Sequence, residues 1–155
     1  MTSMKWLGLS AMVAWLVGCS GGEPLGTQRG TGIFLTYSEA GERTSEVAEE
    51  TEIQLAAGEG SARSVTIPAF GCTFFAMRRD DGQYEGLAAD PSCDLRSIAA
   101  GRSAVLDEET QISLVGGNVS FYEGGAAFVL LHGAVSRNGT EIGVWTWQHE
   151  PIDPE

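Results

Sequence analysis

The chain has 155 residues, with nine basic side chains against 21 acidic ones and a formal charge of −12. That balance excludes nucleic acid and anionic lipid head groups as partners, because a net negative surface repels phosphate charge. The length suits one domain with a modest core.

Lys5 is the only charge before Cys19, and the apolar stretch from Trp6 to Val17 is followed by Gly18. A bilayer-spanning helix needs about 20 apolar residues. This shorter run, with a positive start and a small residue at its end, reads as a signal peptide over residues 1–18. Leu16-Val17-Gly18-Cys19 resembles the lipobox of bacterial lipoproteins. The resemblance implies a diacylglycerol on the Cys19 thiol, cleavage after Gly18 and an acylated new amine. It also implies a membrane partner reached through that lipid, since two or more acyl chains make a stable anchor. Ser20 is not an aspartate, so the implied address is the cell envelope, on the outer membrane. The mature chain would keep eight arginines and no lysine against 21 acidic residues, a formal charge of −13.

Residues 19–32 are rich in glycine and poor in apolar side chains, and read as a flexible tether. A single domain over residues 33–150 follows, opening with the strand candidate IFLTYS at 33–38. The segment 39–52 has six glutamates and reads as a mobile, solvated excursion. Its carboxylates leave cation binding open, but no calcium-loop spacing organises them and no metal site is expected. Ile53 and Leu55 then alternate with polar neighbours, as do Val65 and Ile67 before Pro68.

CTFFAMRRDDGQYEGLAADPSC, residues 72–93, reads as a hairpin about a type I′ turn at Asp81-Gly82. Counting outward pairs Arg79 with Tyr84, Arg78 with Glu85 and Cys72 with Pro91. Cys93 then lies just past the open end opposite Cys72, as a structural disulfide requires. Closing that loop is worth roughly 3 kcal/mol in the chain-entropy model. Zinc is not expected, because no Cys-x-x-Cys or paired-histidine spacing accompanies the two thiols.

The C-terminal half reads as four strands: TQISLV, NVSFYE, AAFVLLHGAV and EIGVWTWQH. Their turns are Gly116-Gly117, Gly124-Gly125 and Asn138-Gly139, and residues 151–155 form an acidic tail. The fold class is therefore all-β, a small antiparallel barrel or sandwich of about eight or nine strands with one disulfide. A disulfide-clipped hairpin followed by glycine-rich hairpins resembles small envelope lipoproteins of high-GC Gram-negative bacteria over residues 64–147. That resemblance brings no activity with it.

A two-residue turn at Asn138-Gly139 pairs Val135 with Ile142, His132 with Trp145, Leu130 with Trp147 and Phe128 with His149. One face then carries Phe128, Leu130, His132, Trp145, Trp147 and His149; the other carries Val129, Leu131, Val135, Ile142 and Val144. Ile112, Leu114, Val119 and Phe121 extend the aromatic face, which becomes the expected core. In the plainest reading Trp145 and Trp147 fill the barrel or sandwich, His132 is a core histidine and the aliphatic strip lies under another strand. If exposed, the strip is a candidate docking patch for an unidentified envelope protein. Alternatively, Phe128, His132, Trp145, Trp147 and His149 line a cavity for a small apolar or aromatic ligand. A purely structural surface role is the third reading.

Catalysis is not expected. The mature chain offers no lysine, no free thiol, no nucleophile elbow and no phosphate loop. The carboxylates Asp80, Asp81, Asp107, Glu108 and Glu109 sit in expected turns, where solvated charge is the commoner role. No cofactor is called for.

Overall fold

A computed structural model describes residues 25–99, 102, 107–122 and 125–152. These form a closed antiparallel barrel of eight strands in sequential order, each beside its neighbours in the chain. The strands are β1 (Gly26–Ser38), β2 (Arg43–Ala57), β3 (Ala62–Ile67), β4 (Cys72–Arg78), β5 (Tyr84–Ala89), β6 (Thr110–Phe121), β7 (Ala127–Arg137) and β8 (Thr140–Pro151). A 3-10 turn at Pro68–Phe70 joins β3 to β4, and α1 (Arg96–Ala99) lies between β5 and β6. The all-β class and the single disulfide agree with the sequence reading, and closure selects a barrel over a sandwich.

The barrel has two unlike walls. Strands β6, β7, β8, β1 and β2 are long and paired over most of their length. Strands β3, β4 and β5 are six or seven residues each, and β5 meets β6 only through Tyr84–Val119 and Glu85–Asn118. The 3-10 turn and α1 fill the space that the short strands leave. Phe70, Ile98 and Ala99 are buried there with the core.

Four local readings change. Strand β1 begins at Gly26, so residues 26–32 belong to the barrel rather than to a tether. Their inward positions are Gly30 and Gly32, whose missing side chains hid the strand from a hydrophobicity pattern. The acidic segment is not an excursion either. Within β2 its residues pair with β1 from Arg29–Glu52 to Tyr37–Arg43. Its glutamates alternate around Val47, Thr51 and Ile53, with Glu46, Glu50 and Glu52 facing out. Gly116-Gly117 is not a turn but lies inside β6, so the C-terminal half has three strands, not four. A bulge at Val115 supplies the change of face that the turn was expected to supply. Ile112, Leu114, Val119 and Phe121 therefore all reach the core as expected.

The fourth change concerns register. In the β4–β5 hairpin, Arg79 N–H donates to the Gln83 carbonyl and Gly82 takes φ +84°, so the loop is longer than two residues. Arg78, not Arg79, therefore pairs with Tyr84. An irregularity near Gly86 cancels the offset, and Phe74 faces Ala89 in the counted register. Cys72 and Cys93 consequently meet, with Cα atoms 4.9 Å apart, in a disulfide.

Candidate functional site

The site residues read from the sequence lie on β7 and β8, and the register there decides their roles. Beyond the Asn138-Gly139 turn, Val135 pairs with Gly143 while Ser136 pairs with Glu141, which leaves Ile142 as a bulge. One extra residue in a strand moves every later side chain to the other face. The two expected faces therefore exchange halves. Leu131 lies opposite Trp147 and Val129 opposite His149.

Inside the barrel are Val129, Leu131, Val135, Trp145, Trp147 and His149, each at most 2% exposed. Ile142 packs against this core from its margin. The docking strip proposed from the sequence is thus corrected: three of its five members are core, and only Val144 is exposed. The ligand face is corrected as well. Phe128 and Leu130 stand half-buried on the outer wall and His132 is exposed there, while Trp145, Trp147 and His149 are inside. The two histidines therefore lie on opposite faces of the wall.

The interior is filled by rings packed against glycines. Phe34 stacks on Trp145 with centroids 6.0 Å apart, and Phe70 meets Trp147 edge-on at 5.5 Å. The Trp145 Nε1–H donates to the Ser113 carbonyl at 3.0 Å. This indole lies where Gly133 has no side chain: a Cβ there would come within 1.7 Å of the Ser113 oxygen and 2.6 Å of Nε1. At Gly30 a Cβ would sit 2.5 Å from His149 Nε2. Eight strands enclose just enough room for side chains to fill, and these rings take it.

His149 is fully buried, with Nδ1 3.2 Å from the Ala127 carbonyl. A carbonyl only accepts, so Nδ1 carries the proton and Nε2 is left as an acceptor. Nε2 has no partner among the described residues, and neither does Thr51 Oγ1, buried on β2 beside Gly30. Burial holds the His149 pKa below the ordinary 6.5, partly opposed by the Ala127 bond.

Sequence reasoning missed Arg102. Its guanidinium lies 4.7 Å over the Phe70 ring and forms a salt bridge of 2.6 Å to Glu49, an inward-facing carboxylate of β2. The pair ties the β5–β6 connection to the long wall. No local signal links residues so distant in sequence.

The outer surface combines apolar and acidic areas. Register places Ile33, Leu35 and Tyr37 of β1 beside Gln148, Thr146 and Val144 of β8. Leu130, His132 and Ala134 of β7 lie on the other side of the same β8 residues. Beyond β1, Glu46 and Glu50 of β2 border this strip. Near the start of β1, a depression of about 380 Å³ lies among Arg29, Glu50, Glu52, Ala69 and Ile152. Cys19 and the rest of residues 1–24 lie outside the described residues. Among the described residues no helix is long and apolar enough to cross a membrane, and no cluster of three or more histidine, cysteine or acidic side chains is arranged to hold a metal.

Compared with known proteins, the chain matches no family model, no curated protein and no solved structure.

Proposed function

We propose that this chain is a lipid-anchored protein of the bacterial envelope, on the outer membrane, that acts as a non-catalytic interaction module through the outside of its barrel. The single observation that carries the reading is the ring-filled interior. Trp145, Trp147, Phe34 and Phe74 are at most 1% exposed, which leaves the outer wall as the working surface. The Leu16-Val17-Gly18-Cys19 lipobox supports the anchor. The distribution of polarity argues against a barrel that itself spans the bilayer. Spanning barrels carry an apolar exterior and a polar lumen, whereas here the core is apolar and Glu46, Glu50 and Arg29 face out.

The partner surface in this reading is the outer wall of β1, β8 and β7 around Leu35, Val144 and Leu130. The test is native mass spectrometry of the chain extracted from its own envelope, compared with Leu35→Asp and Val144→Asp variants. Acyl mass together with a bound protein, lost in variants of unchanged melting temperature, is the expected result. Acyl mass alone would favour a structural surface component. An added few hundred daltons would favour a small-ligand binder, and an unmodified Cys19 would overturn the anchor.

A further inference from the structure

Among the described residues, the exposed apolar side chains are unevenly distributed between the two ends of the barrel. Leu25 precedes β1, Tyr122 follows β6 and Ile152 follows β8; they are 54%, 56% and 55% exposed. All three belong to one rim. Gln28 of β1 clamps the β6–β7 turn, donating from Nε2 to the Gly125 carbonyl at 3.1 Å and accepting at Oε1 from the Ala127 N–H at 2.7 Å. Ile152 lies against the same strand, its N–H directed at the Arg29 carbonyl. The opposite end carries the turns Ser38–Glu42, Asp107–Thr110 and Arg137–Thr140 together with the 3-10 turn at Pro68–Phe70 and α1. Among the described residues, none of the large exposed apolar side chains lies in them.

We propose that the rim formed by Leu25, Tyr122 and Ile152 rests in the headgroup layer of a zwitterionic phospholipid bilayer and fixes the barrel's orientation on the membrane. The inference builds on the lipid-anchored reading. Cys19 is six residues before Leu25, a span of at most about 20 Å when fully extended. The rim is thus the part of the barrel that the anchor holds nearest the membrane. A link of so few residues gives an effective concentration on the order of millimolar, so weak affinity suffices to keep the rim seated. Tyrosine and aliphatic side chains suit the boundary between headgroups and acyl chains.

Charge selects the lipid. Arg29, Arg78 and Arg79 lie at this end beside Glu52, Asp80, Asp81 and Glu150, and Arg79 pairs with Asp81 and Glu85. The rim thus carries no excess of positive charge for an anionic surface. The interaction strip around Val144 would then stand on the side of the barrel, free for a partner moving in the plane of the membrane.

The test uses the acylated mature chain in phosphatidylcholine nanodiscs doped with a gadolinium-chelating headgroup lipid, read by amide NMR. Several-fold stronger broadening at Leu25, Tyr122 and Ile152 than at Gly41 and Gly139 is expected. The triple variant L25D/Y122D/I152D should lose that contrast while its acyl chains keep it on the disc at unchanged melting temperature. Y122D alone is the fallback if the triple variant does not fold. Equal broadening at both ends, or more at Gly41 and Gly139, in a chain of verified acyl mass overturns the orientation but leaves the anchor intact. A chain of unacylated mass that stays in solution overturns both.

Discussion

The two walls of the barrel solve the same problem differently. The long wall of β6, β7, β8, β1 and β2 is held by extended ladders and by rings seated against glycines: Trp145 at Gly133, and Trp147 and His149 at Gly32 and Gly30. The short wall of β3, β4 and β5 has shorter ladders and meets β6 through only two residue pairs. It is completed by the Cys72–Cys93 disulfide and by Phe70 and Ile98. Closing a barrel requires both edges to be satisfied. Where strands are long, shape complementarity does this; where they are short, a covalent link and a plug take over.

The sharpest test of the long wall contrasts neighbouring residues. Leu131 is fully buried, whereas Leu130 faces out. Leu131→Asp should cost more than about 4 kcal/mol, enough to unfold the domain, because it buries an unpaired charge and leaves a cavity. Leu130→Asp should stay within about 1 kcal/mol. Urea denaturation decides, and the reverse order would refute the bulge at Ile142. Gly133→Ala comes next. The clash with the Ser113 carbonyl forces the indole or the strand to move, at an expected cost of about 3 kcal/mol, read as a lower urea midpoint and a shifted tryptophan emission.

For the short wall, Cys72→Ser with Cys93→Ser should cost roughly 3 kcal/mol. Amide exchange should rise first in β3–β5 while β7 and β8 stay protected. Uniform acceleration of exchange would instead make the walls one cooperative unit and weaken the comparison.

The smallest effect is the pH response of His149. Its folded pKa lies below 6.5, so the unfolded chain binds the proton more readily. Stability is therefore complete above about 6.5 and falls as pH drops from there toward the depressed value. His149→Gln should flatten the stability profile in that window. The carboxylates of Asp90 and Asp107 titrate lower. Hydrogen bonds from Ser92 and Thr110 respectively hold both pKa values below 3.8, so they do not mimic the histidine.

Much of this was legible along the chain. Alternation in β3, turn chemistry at Asn138-Gly139 and the spacing of Cys72 and Cys93 are local signals. They gave the class, the hairpins and the disulfide. The candidate site was harder to read because it depended on parity. Ile142 and Val115 are single bulged residues, and each reverses which side chains face the core. Nothing in the local composition marks them, since the bulge follows from how the strand must bend to close the barrel. The first strand was hidden for a related reason. Gly30 and Gly32 look like linker residues until the Trp147 and His149 rings, more than a hundred positions away, are seen above them.

The sequence by itself therefore determined the period-two strands, the turns, the covalent clip and the lipobox motif, because each depends on neighbouring residues. Tertiary structure alone decided which face of β7 and β8 is inside, that the acidic segment is a strand, and that Arg102 clasps Glu49 with its guanidinium over the Phe70 ring. Those outcomes depend on closure: a sheet that returns to its first strand must bend, slip and fill its interior, and these requirements fall on residues far apart in the chain.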